Sequence, residues 1–276
     1  MEFYGTIGPA CAQPETLQRM VEAGMTGIRM NLSHGPLSAH KDWLDIIHAV
    51  GIPQLLIDLQ GPELRIGTLT RPLVLEPGQS LRLGQGGVPC PAALVQAARP
   101  GQDLLLDDGR LFVQVAGADG AALQCTVVML PFVRGAEDIR TLRRALEQAG
   151  AGQIRIFAKI ENLAGVRTLP EFLPLVDEVV IARGDLGNAM PLWELPRCQK
   201  QLSAVCRSAG VPFMVVTQML DSMCSRAVPT RAEVSDIYNA VADGASSVML
   251  TGETAAGQYP VEAMEYLVRT ARTALE

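Results

Sequence analysis

Lys159 and Glu161 are the residues whose types and spacing point most directly to chemistry. They end the apolar segment 154–162 (Ile-Arg-Ile-Phe-Ala-Lys-Ile-Glu-Asn), which is typical of a buried strand. The chain has only three lysines, and an uncompensated charge inside a strand is costly. Residues two apart on a strand share a face and lie about 7 Å apart. This spacing favours two groups that flank a bound molecule over a simple ion pair, and a charge network within the sheet is the alternative.

Similar polar clusters follow other strand-like segments of the chain. They occupy residues 29–35, 58–65, 159–161, 182–187, 217–218 and 251–254. In a parallel α/β barrel, the loops at the carboxyl ends of the strands hold the ligands. Six clusters at corresponding positions therefore predict one site at that rim.

The charges of the predicted rim favour an anionic substrate. Four cations face three acids: Arg29, Arg65, Lys159 and Arg183 against Asp58, Glu161 and Asp185. With one divalent ion added, the rim is positive although the chain has a net charge of −6, which favours a phosphorylated substrate. Glu161 and Asp185 suit Mg²⁺, which takes one or two carboxylates together with substrate oxygens. Asn31, Ser33 and Asp58 offer oxygen ligands to a monovalent cation.

Several of these residues also have a purely structural interpretation. Asp185 could be a helix N-cap, although the helix start at 184–187 could equally hold a carboxylate with its N–H groups. Thr217 could be a β-branched residue of the core. Residues 107–109 (Asp-Asp-Gly) are more typical of a turn than of a site. His34 could contact phosphate or hydrogen-bond within its loop.

Strand-like and helical segments alternate along the chain, and this pattern predicts the elements that position the rim. The strand-like segments are 4–7, 27–30, 55–59, 126–132, 154–160, 178–182, 213–217 and 247–250. The helical segments are 14–23, 37–50, 136–149, 166–173, 196–209, 231–242 and 261–275. Thr230 and Glu233 predict a capping box, and Gly24, Gly150 and Gly210 predict helix ends. Eight strands in this alternation favour an α/β fold of the closed (β/α)₈ TIM barrel type.

Residues 67–125 break the alternation. They are rich in Gly, Pro, Leu and Val, and they predict a small antiparallel β insertion, a reduced lid domain after the third strand. The barrel catalytic domain then comprises residues 1–66 and 126–276. No helix is expected before the fourth barrel strand, so the barrel should lack one outer helix. Two hairpins packed against the barrel are the alternative.

Composition excludes several classes of function. A sequence pI of 5.2 and the absence of a basic run argue against nucleic-acid binding. No apolar run reaches the roughly 18 residues of a membrane span, and the first residues lack the pattern of a signal peptide. The six cysteines are scattered without metal-ligand spacing, as expected of a reduced, cytoplasmic protein.

In its motifs the chain resembles the pyruvate kinase family. The matching segments, in the family's order, are 6–10, 24–35, 58–65, 107–109, 158–162, 182–187, 217–223, 229–236 and 252–255. The resemblance implies a glycolytic phosphotransferase that moves the phosphoryl group of phosphoenolpyruvate to ADP, giving pyruvate and ATP. It also implies dependence on Mg²⁺ or Mn²⁺ and on K⁺, and it leaves a homo-oligomer open.

The resemblance assigns a role to each matching residue. The implied catalytic residues are Lys159, Arg29 and Thr217, and Gly184 and Asp185 join them in binding the substrate. The implied cation ligands are Glu161 and Asp185 for magnesium, and Asn31, Ser33, Asp58 and Leu59 for potassium. The implied nucleotide contacts are Arg65, His34 and Asn31.

The chain also departs from the family's pattern. Family members usually carry a further C-terminal domain, and we expect a short form without it. The lid is expected to be shortened, and Asp58-Leu59-Gln60-Gly61-Pro62 replaces the usual Asp-Thr-Lys-Gly-Pro, which removes a cation from the site's mouth. Two alternatives therefore stay open. One is a metal-dependent 2-oxo acid lyase or decarboxylase acting through a metal-bound enolate, and the other is a non-catalytic phosphoenolpyruvate-binding paralogue.

Overall fold

The computed structural model describes residues 1–34, 37–59, 103–106, 111–114, 127–148 and 151–276. The chain divides into two compact units. One comprises Met1–Gly61 and Leu123–Glu276, and the other comprises Pro62–Ala122.

Ten strands are described. They are β1 (Glu2–Thr6), β2 (Gly27–Asn31), β3 (Gln54–Asp58), β4 (Asp103–Leu106), β5 (Leu111–Gln114), β6 (Val127–Leu130), β7 (Ile156–Ile160), β8 (Glu178–Ala182), β9 (Phe213–Val216) and β10 (Ser247–Met249). All except β4 and β5 are parallel and close into a barrel in the order β1-β10-β9-β8-β7-β6-β3-β2. The predicted (β/α)₈ barrel is therefore confirmed.

Helices follow seven of the eight barrel strands in the described part of the chain. The α-helices are Pro14–Glu22, Lys41–Val50, Ala136–Gln148, Leu163–Phe172, Arg183–Asn188, Leu195–Ala209, Arg231–Ala242, Gly252–Ala255 and Pro260–Thr273. Short 3₁₀ helices cover Leu32–His34, Leu37–His40, Leu173–Leu175, Leu192–Glu194 and Asp221–Cys224. None of the helices in these ranges is long and apolar enough to cross a membrane.

The helix boundaries follow local capping chemistry. The predicted capping box is confirmed: the Thr230 side chain accepts from the Glu233 N–H, and the Glu233 side chain accepts from the Thr230 N–H. Leu163–Phe172 begins three residues before the predicted start because the Asn162 side chain accepts a hydrogen bond from the Gly165 N–H and caps the helix there. Arg183–Asn188 and Gly252–Ala255 are short helices that the sequence pattern did not delimit.

The second unit contains β4 and β5. These strands pair antiparallel, with Asp103 opposite Gln114 and Leu106 opposite Leu111. The predicted lid edges at residues 67 and 125, the missing outer helix and the shortening of the lid lie outside the described residues, and they stay predictions.

Side chains alternate along the strands, so every second residue points into the barrel. The middle of the barrel is filled by an apolar cluster of Tyr4, Leu56, Met129, Phe157, Val180, Ala182, Met214, Val216 and Met249. Gly27 makes room for the Tyr4 ring, since a Cβ at position 27 would lie 2.4 Å from a ring carbon. The apolar layer lies between two polar layers, one at each end of the strands.

The polar layer at the amino ends of the strands contains a buried carboxyl group. Glu178 is 3% exposed and accepts hydrogen bonds from the Ser246 and Ser247 hydroxyls. Burial is the main reason that its pKa is raised from 4.5 to about 7. The two serines and Arg155 oppose the shift, and the charge of Glu2 adds to it.

This raised pKa predicts that folding stability falls as the pH rises. Below pH 4.5, Glu178 is protonated in the folded and unfolded chains alike, whereas between pH 4.5 and about 7 only the folded chain keeps the proton. The contribution of Glu178 to the free energy of unfolding should therefore fall by about 3 kcal/mol over that interval, at 1.36 kcal/mol per pKa unit. Urea unfolding of wild type and Glu178→Gln at pH 4.5 and 7.5 measures this, because the variant lacks the ionising group. An equal pH dependence in both proteins would contradict the assignment.

Candidate active site

The candidate site lies one side chain beyond the apolar layer, at the carboxyl ends of the barrel strands. Asp58 lies two residues after Leu56 in β3, and Lys159 lies two residues after Phe157 in β7. Since alternate residues share a face, Asp58 and Lys159 point into the barrel with the apolar cluster beneath them.

Lys159 forms a direct ion pair with Glu161. Its Nζ lies 2.9 Å from Glu161 Oε1 and 3.4 Å from Asp58 Oδ2, and its side chain is only 14% exposed. The expectation that Lys159 and Glu161 are too far apart for a simple ion pair is therefore wrong. The separation of about 7 Å applies to backbone positions, and two long side chains on one face close that gap. The charge network within the sheet, which was the alternative, is present at the predicted site.

Asp58 joins the charged residues of three strands. Its Oδ2 accepts from Arg29 Nε at 3.0 Å and from Arg29 Nη2 at 2.5 Å, in addition to the Lys159 contact. Arg29 Nη1 donates to the Thr6 hydroxyl at 3.1 Å, so the guanidinium is fixed from two sides. Three of the five guanidinium N–H donors face Asp58 and Thr6, which leaves two for an anion.

Glu161 is buried and held in place by both of its oxygens. It is 3% exposed, and its Oε2 accepts from the Phe132 N–H at 2.9 Å. Phe132 has a φ of 53°, a left-handed conformation that turns its N–H toward the carboxylate. Burial, the largest cause, raises the pKa of Glu161, and the negative charge of Asp185 adds to the shift, while Lys159 and the Phe132 N–H oppose it. Two acids close enough to repel suit a shared cation.

Asp185 does not cap its helix. The N-cap of Arg183–Asn188 is Ala182, and Asp185 is an exposed residue of the first turn. The N-cap interpretation of Asp185 is therefore wrong. Its negative charge adds to the raised pKa of Glu161, so the two carboxylates lie within electrostatic range of each other.

Thr217 lies in a strained turn after β9. Its φ is 79° and that of Gln218 is 53°, and such angles are rare for non-glycine residues, above all for a β-branched one. Each costs roughly 1–3 kcal/mol and persists only where the surrounding structure holds it. Thr217 is half-buried and lies outside the strand, so the interpretation of Thr217 as a core residue is not supported. Gly184 packs against it, since a Cβ at Gly184 would lie 3.2 Å from the Thr217 methyl group.

The charge balance at the rim differs from the one counted in the sequence. Arg183 is not a free cation, because its Nη1 lies 2.6 Å from Asp236 Oδ2. Lys159 and Arg29 are paired with carboxylates as well. The described residues therefore do not provide a surplus of unpaired positive charge. Instead, paired cations are held in fixed positions, with Arg29 retaining spare donors.

The implied potassium ligands include a buried oxygen atom without a partner. Asp58 Oδ1 has no hydrogen-bond partner in the described part of the chain, although the side chain is 2% exposed. Asn31 is the register neighbour of Asp58 across β2 and β3, and its Oδ1 accepts from the Ser33 N–H. The Leu59 N–H donates to Met129. One unsatisfied carboxylate oxygen, with Asn31 beside it on the next strand, suits a monovalent cation.

The implied magnesium ligands are two acids, Glu161 and Asp185. No group of three or more His, Cys, Asp or Glu side chains is placed to hold a metal ion in the ranges that the structure describes. Glu161 and Asp185 fit Mg²⁺ because that ion needs only one or two carboxylates beside substrate oxygens. Arg65 and the side chain of His34 lie outside the described residues, so their nucleotide contacts stay predictions.

Some residues of the site were not identified from the sequence. Thr6 orients Arg29, and its position two residues after the inward-facing Tyr4 could have indicated this. Asp236 orients Arg183 from a distant helix, and no local signal indicates that contact. By contrast, Glu253 of the predicted rim cluster is 1% exposed and accepts from the backbone N–H groups of Leu220 and Thr251, which is a structural role.

Comparisons with known proteins point to one family. The family model for the pyruvate kinase barrel domain matches residues 2–128 and 119–264. The pyruvate kinase of Chlamydia pneumoniae is 34% identical over 95% of this chain and 66% of its own length. The pyruvate kinase of Sporosarcina psychrophila is 35% identical over 97% of this chain and 56% of its own length. The chain thus spans less than two thirds of these relatives.

A solved structure has the same fold. The crystal structure of Cryptosporidium parvum pyruvate kinase matches with a TM-score of 0.82 and 28% sequence identity. The match covers 99% of this chain and 70% of that one.

Proposed function

The chain belongs to the pyruvate kinase family, and from that premise we propose that it is a phosphotransferase acting on phosphoenolpyruvate and ADP. The phosphoryl group leaves the enol oxygen of phosphoenolpyruvate for the terminal phosphate of ADP. The bond from phosphorus to the enol oxygen breaks, and the resulting enolate takes a proton at its methylene carbon to give pyruvate. A glycolytic role, a cytoplasmic location and a homo-oligomeric state belong to the same proposal.

The observation that carries the proposal is the position of the Lys159 ammonium group. It lies 2.9 Å from Glu161 and 3.4 Å from Asp58, in a site that shields it from solvent. Charge develops on the enolate oxygen and on the transferring phosphoryl group as the bond breaks. A preorganised ammonium in a site of low dielectric stabilises that charge without reorganising.

The other residues bind and orient the substrates in this proposal. Arg29 uses its spare donors on the phosphate of phosphoenolpyruvate, and Asp58 and Thr6 keep its guanidinium still. Gly184 and Asp185 line the pocket for the substrate carboxylate. Thr217 places its hydroxyl near the methylene carbon that is protonated. Arg65, His34 and Asn31 are proposed to contact the nucleotide.

The proposal includes two kinds of cation. Glu161 and Asp185 would hold Mg²⁺ or Mn²⁺, and Asn31, Ser33, Asp58 and the carbonyl of Leu59 would hold K⁺. These ions would neutralise the phosphate charges and complete the electrostatics of the site. The repulsion between Glu161 and Asp185 and the partnerless Asp58 Oδ1 support this arrangement.

A turnover screen tests the proposal. With Mg²⁺ and K⁺ present, the purified chain should form pyruvate and ATP in equal amounts from phosphoenolpyruvate and ADP. Chelation of Mg²⁺ should abolish turnover, and replacing K⁺ with tetramethylammonium should lower it at least tenfold.

The remaining outcomes would identify the alternatives. Exchange of the methyl protons of pyruvate that needs Mg²⁺ but no nucleotide, without ATP formation, would indicate the 2-oxo acid lyase. Binding of phosphoenolpyruvate without turnover or exchange would indicate the non-catalytic paralogue.

A further inference from the structure

Thr217 and Gln218 hold two consecutive left-handed backbone conformations. Their φ angles are 79° and 53°, and neither residue is glycine. Backbone strain of this kind persists only where the surrounding structure over-determines it, and it is concentrated at functional sites. The groups that hold this turn therefore determine where the Thr217 side chain points.

One guanidinium group holds the turn. Arg183 Nε and Nη2 donate to the Thr217 carbonyl at 3.1 and 2.8 Å, and Nη2 also approaches the Gln218 carbonyl at 3.3 Å. On its other edge, Nη1 donates to Asp236 Oδ2 at 2.6 Å. Because the donors are directed at backbone and at Asp236, Arg183 is poorly placed to bind an anion directly.

Arg183 also connects the two halves of the proposed carboxylate pocket. It is the first residue of the helix Arg183–Asn188 after β8, and Gly184 and Asp185 follow it directly. Gly184 packs against the Thr217 methyl group. The same residue therefore sets the distance between the start of this helix and the turn after β9.

We infer that Arg183, oriented by Asp236, is a positioning residue that fixes the Thr217 hydroxyl against the substrate pocket. The inference rests on the proposed function and deepens it, because it assigns a role to a cation that the sequence had counted among the anion-binding groups. Arg183 acts through Thr217 and contacts no substrate. A planar guanidinium group is required here, since one lysine ammonium group cannot reach two carbonyls and a carboxylate at these separations.

The expected result is a kinetic defect of Arg183→Lys. Its kcat for pyruvate formation should fall ten- to hundredfold, since a displacement of about 1 Å in a positioned group can cost 10²-fold. Mg²⁺-dependent exchange of the methyl protons of pyruvate, followed by NMR, should fall by the same factor. Asp236→Asn keeps a hydrogen-bond acceptor and should give a smaller defect of the same kind.

A double-mutant cycle separates positioning from a general structural role. Thr217→Val removes the hydroxyl and keeps the branched shape. In that background, Arg183→Lys should cost less than threefold in kcat, because the group through which it acts is gone. If the double variant instead loses kcat by the product of the two single-variant factors, the two residues act independently and the inference is overturned. If Arg183→Lys does not fold, the cycle is run with Asp236→Asn.

Arg143→Lys is the matched control. Arg143 also donates to two backbone carbonyls, those of Gly152 and Ile154, and lies 3.3 Å from Asp177, but these groups precede β7 and β8 at the other end of the barrel. It should leave kcat within twofold of wild type. An equal loss in Arg143→Lys would show that disturbing any such arginine suffices, and it would refute the inference.

The outcomes for the inference and for the proposed function can be distinguished. If the wild type forms pyruvate and ATP but the two substitutions lower kcat independently, only the positioning role is refuted. Proton exchange without phosphoryl transfer refutes the proposed function, and the cycle is then measured on exchange alone. A wild-type chain with neither activity overturns both.

Discussion

Replacing Lys159 with methionine is expected to lower the rate of ATP formation from phosphoenolpyruvate and ADP by about a thousandfold or more. Methionine fills similar space, but it removes the ammonium group from a site where it is 14% exposed. Loss of a single neutral donor to a developing oxyanion costs about 10²–10³ in kcat, and loss of a full charge should cost at least as much. A coupled pyruvate assay at saturating substrates measures kcat.

Lys41→Met provides the matched control for this experiment. Lys41 is one of the three lysines of the chain, its side chain is 73% exposed, and it pairs with Asp45 at 2.6 Å on the same helix. Its substitution should leave kcat within twofold of wild type. Retention of more than a tenth of wild-type kcat by a folded Lys159→Met protein would rule out Lys159 as the group that stabilises the transferring phosphoryl.

The barrel was predictable because its signals are local. Apolar segments of strand length alternate with amphipathic segments, and caps such as Thr230 with Glu233 depend on residues three apart. The shared face of Lys159 and Glu161 follows from the two-residue period of a strand. Spacing along a strand gives backbone separation, however, and this is why the direct ion pair was only the alternative interpretation.

The contacts that depend on distant parts of the chain could not be predicted from spacing. Arg183 and Asp236 are 53 residues apart, and they meet only in the folded chain, where Arg183 begins the helix after β8 and Asp236 lies in the helix Arg231–Ala242. The left-handed turn at Thr217 is likewise invisible in residue type, since threonine is a poor residue for a positive φ. Sequence patterns placed Arg29, Asp58, Lys159 and Glu161 at one rim, where the structure brings them into contact, but they did not indicate that Thr6 and Asp236 orient the arginines.

Asp58→Asn is the substitution expected to cost the most stability. Asp58 is 2% exposed and accepts from two nitrogens of Arg29 and from Lys159. The variant leaves the buried Arg29 guanidinium without its carboxylate, while Lys159 keeps only Glu161. Breaking a buried ion pair by removing one partner typically costs about 3–5 kcal/mol. Urea denaturation at pH 7 and constant ionic strength measures the free energy of unfolding.

Two comparisons assign that loss to the buried cations. Asp45→Asn removes the acid of an exposed pair, whose Asp45 side chain is 61% exposed, and such pairs are worth at most about 1 kcal/mol. In an Arg29→Met background, Asp58→Asn should cost clearly less than it does in wild type, because the main unpaired charge is then absent. An undiminished cost in that background would mean that Arg29 is not the source of the penalty.

The second oxygen of Asp58 adds a test of cation binding that does not depend on catalysis. Oδ1 is buried and has no hydrogen-bond partner among the described residues, a costly arrangement that a bound cation would relieve. If K⁺ binds there, exchanging tetramethylammonium for K⁺ at constant ionic strength should raise the melting temperature of the wild type, since a ligand that binds only the folded chain stabilises it. Asp58→Asn should lose this increase, whereas Asp45→Asn should keep it. An equal response to K⁺ in all three proteins would place the stabilising cation elsewhere.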